Sequence, residues 1–209
     1  MRVCLITDRR MLDGDALLER IAMGVAAGIS MVQVREKDLD GRCLAQRTLR
    51  ILDAVRRAHP APGGVPVVVN TRLDVALATG ADGVHLPAAG LPPARVRRLV
   101  PQGFLVGVSA HGVDDLDAAE REGADYAFLG PAFATDSHPG RAGLGRQRLR
   151  QMLQGRSLPI WAVGGVRPET VSRLAGLPLE GVAAIRALLR APEIRRTVQA
   201  LGGTPTSRS

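Results

Sequence analysis

The sequence predicts an α/β protein folded as a single (β/α)8 barrel of the TIM type, and three observations carry the prediction. Short runs rich in β-branched residues recur eight times along 209 residues. None alternates apolar with polar as a half-exposed strand does, so the sheet they build is buried on both faces and therefore parallel. Longer segments follow the runs, amphipathic where they are clearest, as at 15–27 and 114–122, and that is the rhythm of βα units.

The first strand is Val3 to Thr7, the second Met31 to Arg35, the third Pro66 to Asn70 and the fourth Gly83 to Leu86. Leu105 to Ser109, Tyr126 to Leu129, Ile160 to Val163 and Gly181 to Ile185 supply the remaining four. Gly80-Ala81-Asp82 precedes the fourth strand and Gly123-Ala124-Asp125 the sixth, a repeated turn from a helix C-terminus into a strand. That internal similarity favours the barrel over an open doubly wound sheet. The barrel is expected over 1–201, with 202–209 a disordered tail.

Composition excludes more than it identifies. No apolar run reaches the roughly 18 residues of a membrane span, and an apolar share of 45% is ordinary for a soluble domain. Met1 leads directly into the first strand, and the two cysteines, Cys4 and Cys43, have no partner at metal-ligand spacing. Together these predict a cytoplasmic protein without a membrane segment. A net charge of +8 invites nucleic acid, yet the arginines are spread over helices beside Asp and Glu, and aromatic residues make up only 2%. No nucleic-acid partner is expected; a basic field that gathers a small phosphorylated ligand is.

Chemistry in such a barrel belongs at the C-terminal ends of the strands. Val108-Ser109-Ala110-His111 places an imidazole just past the fifth apolar run. Lys37 is the one lysine among 28 basic residues and falls in Gln33-Val34-Arg35-Glu36-Lys37, where three charged side chains in succession reach the barrel mouth. Val163-Gly164-Gly165 ends the seventh strand, and the eighth leads through Ile185 into a helix starting near Arg186-Ala187, an arrangement suited to phosphate. The loop from Gly130 to Gly145 offers Thr135 and Ser137 as donors, with His138 or Arg141 to close over a ligand.

These residues resemble the thiamin phosphate synthase/TenI superfamily of (β/α)8 barrels, from Thr7-Asp8-Arg9 to about Leu189. The resemblance runs through residues 32–38 and 69–77, Gly80-Ala81-Asp82-Gly83-Val84-His85-Leu86, Gly107-Val108-Ser109-Ala110-His111, Gly123-Ala124-Asp125-Tyr126 and Ala162-Val163-Gly164-Gly165. It implies one of two enzymes. A synthase joins a pyrimidine diphosphate to a thiazole phosphate with magnesium held partly by carboxylates. Here Thr71 follows Asn70 where the synthase pattern has aspartate, Pro87-Ala88-Ala89-Gly90 replaces an acidic segment, and His138 stands at the place of a lysine.

Those departures point to the TenI-type thiazole tautomerase, an isomerase that aromatises the carboxythiazole phosphate made by thiazole synthase without cofactor or metal. His111 is then the general acid/base, imidazole being suited to proton transfer near neutral pH. Thr135, Ser137, Gly165, Ile185 and Arg186 would hold the phosphate, while Gln33, Arg35, Lys37, Asn70, Ser109 and His138 line the rest. The expected partner is a small phosphorylated thiazole, with a functional link to thiazole synthase and a homo-oligomeric state. The alternatives are a thiamin phosphate synthase, which would need magnesium, and a non-catalytic sensor of a phosphorylated ligand.

Overall fold

The computed structural model describes residues 1–61, 63–135 and 143–202. Eight strands close in sequence order: β1 (Arg2–Ile6), β2 (Met31–Val34), β3 (Val67–Asn70), β4 (Gly83–Leu86), β5 (Leu105–Ala110), β6 (Tyr126–Leu129), β7 (Ile160–Val163) and β8 (Gly181–Ala184). All neighbours are parallel, and β1 pairs with both β2 and β8, so the sheet has no free edge. The single barrel predicted from the strand rhythm is therefore the observed one. Strand β5 runs further than its apolar stretch, because Ser109 and Ala110 continue the ladder opposite Phe128 and Leu129.

The helices between strands are α1 (Gly14–Ala26), α2 (Gly41–Ala58), α3 (Leu73–Thr79), α4 (Pro93–Arg97), α5 (Val113–Arg121), α6 (Gly145–Leu153) and α7 (Pro168–Val171), and α8 (Arg186–Leu189) and α9 (Ile194–Ala200) follow β8. Helix α1 begins one residue earlier than its amphipathic pattern because the Asp13 carboxylate accepts from the Gly14 N–H at 2.6 Å. Among the described residues no helix is long and apolar enough to cross a membrane.

The Gly-Ala-Asp repeat has a physical explanation. Gly80 and Gly123 adopt left-handed backbone (φ 64° and 75°) that ends a helix without a Cβ penalty. Two residues on, Asp82 accepts from the Val67 N–H at 2.8 Å and Asp125 from the Val106 N–H at 2.6 Å, satisfying donors at the starts of β3 and β5. One sequence triplet thus closes a helix and starts its neighbouring strand.

Because successive strand residues face opposite sides, the core has two parts. Val3, Leu5, Val32, Val34, Val84 and Val106 pack outward against the helices. Cys4, Ile6, Met31, Val68, Tyr126, Phe128, Trp161 and Ala183 fill the barrel interior. Burial pushes the Cys4 thiol far above its ordinary range, leaving it an inert filler; Cys43 is exposed, and both are free. Interior space is made by glycine: a Cβ on Gly107 would overlap the Tyr126 ring, and one on Gly181 the Trp161 ring. Gly202 still contacts the fold, accepting from the Met1 amine at 3.3 Å, and the rest of the expected tail, 203–209, lies outside the described residues.

Gly107→Ala is expected to destabilise the fold by at least about 2 kcal/mol, since the ring it meets is enclosed on all sides. Urea unfolding measures this, and a change below about 0.5 kcal/mol would show that Tyr126 has room to move.

Candidate active site

A cavity of about 500 Å³ opens at the C-terminal ends of the strands, within the range of small-ligand sites. Its wall includes Gln33, Arg35, Lys37, Asn70, Ser109, His111, Thr135, Gly165, Ile185 and Arg186, so ten of the expected site residues come together. Ser137 and His138 lie outside the described residues.

Strands β2 and β3 supply the amide side of the wall. Gln33 Nε2 donates to Asn70 Oδ1 at 3.3 Å, and Asn70 Nδ2 donates to Thr71 Oγ1 at 2.9 Å. The chain of donors orients both amides. Beyond β2 the three consecutive charges part company, contrary to the expectation that all of them reach the mouth. Arg35 and Lys37 line the cavity, whereas Glu36 turns away and clamps β1 to β2. Its Oε1 accepts from the Thr7 hydroxyl at 2.7 Å, its Oε2 from the Arg9 N–H at 2.8 Å, and Thr7 Oγ1 accepts from the Arg35 N–H at 2.9 Å. Burial raises the Glu36 carboxyl and lowers the Arg35 guanidinium from their ordinary values, since each charge leaves water.

His111 follows β5 directly. Its backbone N–H donates to Asp115 Oδ2 at 2.7 Å, and its Nδ1 lies 2.7 Å from the Gly130 carbonyl oxygen. A carbonyl can only accept, so Nδ1 carries a proton and ties the end of β5 to the loop after β6. His85 differs in every respect. It is 2% exposed, with Nε2 at 3.0 Å from Ser109 Oγ and Nδ1 at 3.2 Å from the Tyr126 hydroxyl. Burial, with a smaller effect of the Arg35 charge, pushes its pKa down to about 3. His85 is therefore a neutral core histidine at ordinary pH.

In the last two loops, expected to hold phosphate, the paired glycines serve loop docking. Gly164 and Gly165 have φ of 90° and 66°, and a Cβ on Gly165 would collide with Ala134 O and Phe133. The pair lets the loop after β6 dock on β7, with Ala132 N–H donating to Val163 O at 2.8 Å and Phe133 N–H to Gly164 O at 3.0 Å. Helix α8, expected to lend its dipole, is a single turn from Arg186 to Leu189 and offers little of one.

Among the wall residues that sequence reasoning did not assign to the site are Phe128, Arg167 and Thr71. Phe128 was findable, because it alternates with Tyr126 on β6 and so faces the interior. Arg167 lies just past Gly164-Gly165, in the loop already marked for phosphate. Thr71 was marked only as a departure from the synthase aspartate; it is the one described non-glycine residue with positive φ, at 67°, a conformation that a β-branched side chain resists.

The model of the thiamine monophosphate synthase family matches residues 3–188. The chain belongs to that family. It is 34% identical over 201 residues to the thiamine-phosphate synthase of Coprothermobacter proteolyticus, covering 96% of this chain and 93% of that one. The corresponding protein of Chloroflexus aurantiacus is 36% identical, with 96% and 90% covered. The solved thiamine phosphate pyrophosphorylase of Pyrococcus furiosus superposes with a TM-score of 0.82 at 26% identity, covering 96% and 93%. These likenesses overturn the expectation of a tautomerase: the chain is an enzyme of the thiamine phosphate synthase type.

The family implies magnesium, and the residues present do not fit it. The described cavity wall carries Arg35, Lys37, His111, Arg167 and Arg186 but no Asp or Glu. Thr71 stands where the resemblance places an aspartate, and Pro87-Ala88-Ala89-Gly90 where it places an acidic segment. No group of three His, Cys, Asp or Glu among the described residues is arranged to hold a metal. Hard oxygen ligands in near-octahedral array are what magnesium requires.

Two outcomes are expected. Thr71→Asn should stabilise the fold by about 1 kcal/mol, because asparagine tolerates left-handed backbone; an unchanged or lower unfolding midpoint would refute the strain. For His85 the native pKa lies below the unfolded one, so on acidification the unfolded chain takes up a proton first. Stability is then lost from about pH 6.5 downward at about 1.4 kcal/mol per pH unit. His85→Gln should lack this slope, and parallel pH–stability curves for the two chains would contradict it.

Proposed function

We propose that the chain condenses a pyrimidine diphosphate with a thiazole phosphate, forming thiamine phosphate and releasing pyrophosphate. One observation carries the proposal: a family match spanning 3–188 coincides with a cavity whose described charged residues are all basic. Both substrates are anions, and Arg35, Lys37, Arg167 and Arg186 supply the opposing charge.

In the reaction the bond between the pyrimidine methylene carbon and its diphosphate oxygen breaks, and the electron pair leaves with pyrophosphate. The thiazole nitrogen donates its lone pair to the same carbon to form the new bond. Arg35 and Lys37, adjoining the amides of Gln33 and Asn70, neutralise the charge growing on the departing diphosphate. Thr135, Gly165, Ile185 and Arg186 receive the thiazole phosphate on the opposite loops. Phe128 forms the apolar floor between the two, a surface suited to flat rings. No described side chain fits magnesium, and no step here is assigned to it.

His111 takes the part of an anchor, its Nδ1–H holding the loop after β6 through Gly130. It makes no proton transfer, because none of the bonds made or broken requires one at this position.

Purified protein given both substrates and magnesium should produce thiamine phosphate and pyrophosphate in equal amounts; no product would overturn the proposal. Lys37→Ala should lower kcat/KM at least about tenfold, the loss of one charge-assisted contact. His111→Asn keeps a donor near the Nδ1 position and should retain activity within about fivefold, whereas a loss above about 100-fold would mark the imidazole as an acid or base.

A further inference from the structure

We propose that Tyr126 and His85 form a buried relay that fixes the Ser109 hydroxyl as a hydrogen-bond donor into the cavity, so that His85 is a positioning residue for an anionic oxygen of the ligand. The identity of that ligand as a diphosphate or phosphate rests on the function proposed above; the relay itself does not.

The relay begins with strand register. Asn70, His85, Gly107 and Tyr126 are successive Cα neighbours across β3, β4, β5 and β6. Gly107 contributes no side chain between His85 and Tyr126, and the phenol ring occupies the place a Cβ would take. The Tyr126 hydroxyl thereby spans a whole strand and comes within 3.2 Å of His85 Nδ1. On the other side of the imidazole, Nε2 lies 3.0 Å from Ser109 Oγ, and Ser109, two residues further along β5, is part of the cavity wall. The His85 and Phe128 rings pack at 4.5 Å between centroids with a 37° tilt, which holds the imidazole plane in place.

A neutral imidazole has one N–H and one lone pair, so the two contacts admit two arrangements. In one, Nδ1–H donates to the phenol oxygen and Nε2 accepts from Ser109, which then shows only lone pairs to the cavity. In the other, the phenol donates to Nδ1, Nε2–H donates to Ser109 Oγ, and the serine proton is left to point into the cavity. The phenol decides between them. Tyr126 is 3% exposed, and His85 is its one hydrogen-bond partner among the described residues. In the first arrangement its O–H would be buried without an acceptor, which carries the full desolvation cost of a donor. The second satisfies every group, and it offers an O–H where the cavity already gathers cations.

His85 is not part of the cavity wall, so it acts on a ligand only through Ser109. It and His111 hold opposite tautomers for opposite purposes: His111 donates from Nδ1 to a backbone carbonyl, His85 from Nε2 to a hydroxyl.

Long-range ¹H–¹⁵N correlation spectra of the histidine rings in the full chain at neutral pH report which nitrogen is protonated. The expected result is a proton on Nε2 of His85, with Nδ1-protonated His111 as an internal reference; a proton on Nδ1 of His85 overturns the relay without any substitution. Calorimetric binding of inorganic pyrophosphate then tests its consequence. His85→Gln places an amide donor near the Nε2 position and should hold affinity within about threefold. His85→Met, of similar length without a donor, should weaken it about tenfold. Equal affinities for the two variants, retained or lost alike, would show that His85 only fills space and would overturn the positioning role. Absence of pyrophosphate binding to the native chain would instead overturn the diphosphate reading, while the tautomer spectrum still decides the relay.

Discussion

Closure of eight parallel strands is the constraint on which everything else in this protein depends. Once β1 pairs with both β2 and β8, the interior has a set girth and must be filled by whichever side chains alternate inward. This chain fills it unevenly. Tyr126, Phe128 and Trp161 on two adjacent strands provide the bulk, and Gly107 and Gly181 on the flanking strands give way to them. The aromatic cluster supports the cavity floor, and the gap over Gly107 lets a phenol meet an imidazole two strands away.

Above that floor the wall is electrostatically one-sided. Glu36 sits in a run of three charges but is consumed in holding β1 to β2, and Asp115 is consumed by the His111 backbone. The described wall is left basic, with Arg35 and Lys37 on one side and Arg167 and Arg186 on the other. Glu36 and Asp115 near the mouth thus serve the scaffold. Beneath the wall, burial keeps His85 neutral.

Thr71 and the segment Pro87-Ala88-Ala89-Gly90 depart from the synthase pattern and, taken by themselves, point to a tautomerase. Likeness along nearly the whole chain, at 34% and 36% identity to proteins named thiamine-phosphate synthase, outweighs them. The departures lie at Thr71 and in one short segment, while the amides of Gln33 and Asn70 and the cations Arg35 and Lys37 still line the cavity. Thr71 even keeps the left-handed backbone that an aspartate or asparagine tolerates more readily, at a local cost in strain.

The sequence by itself determined the barrel and most of the polar residues that line its cavity, because these follow from local periodicity: apolar runs bury both faces of a strand, and alternation and chain order place Gln33, Arg35, Lys37, Ser109 and His111 at one end. It also contained the Gly-Ala-Asp turn, whose parts lie within one triplet. What only the tertiary structure decided was non-local. That Glu36 leaves the cavity depends on Thr7 and Arg9, far off in the chain. That Gly164-Gly165 receives a neighbouring loop depends on Phe133 and Ala134. That His85 is buried and neutral, bridged to Tyr126 and Ser109, depends on register across three strands and on a glycine between two rings. Hydrogen-bond direction and burial arise from what closure brings together, and no stretch of sequence records them.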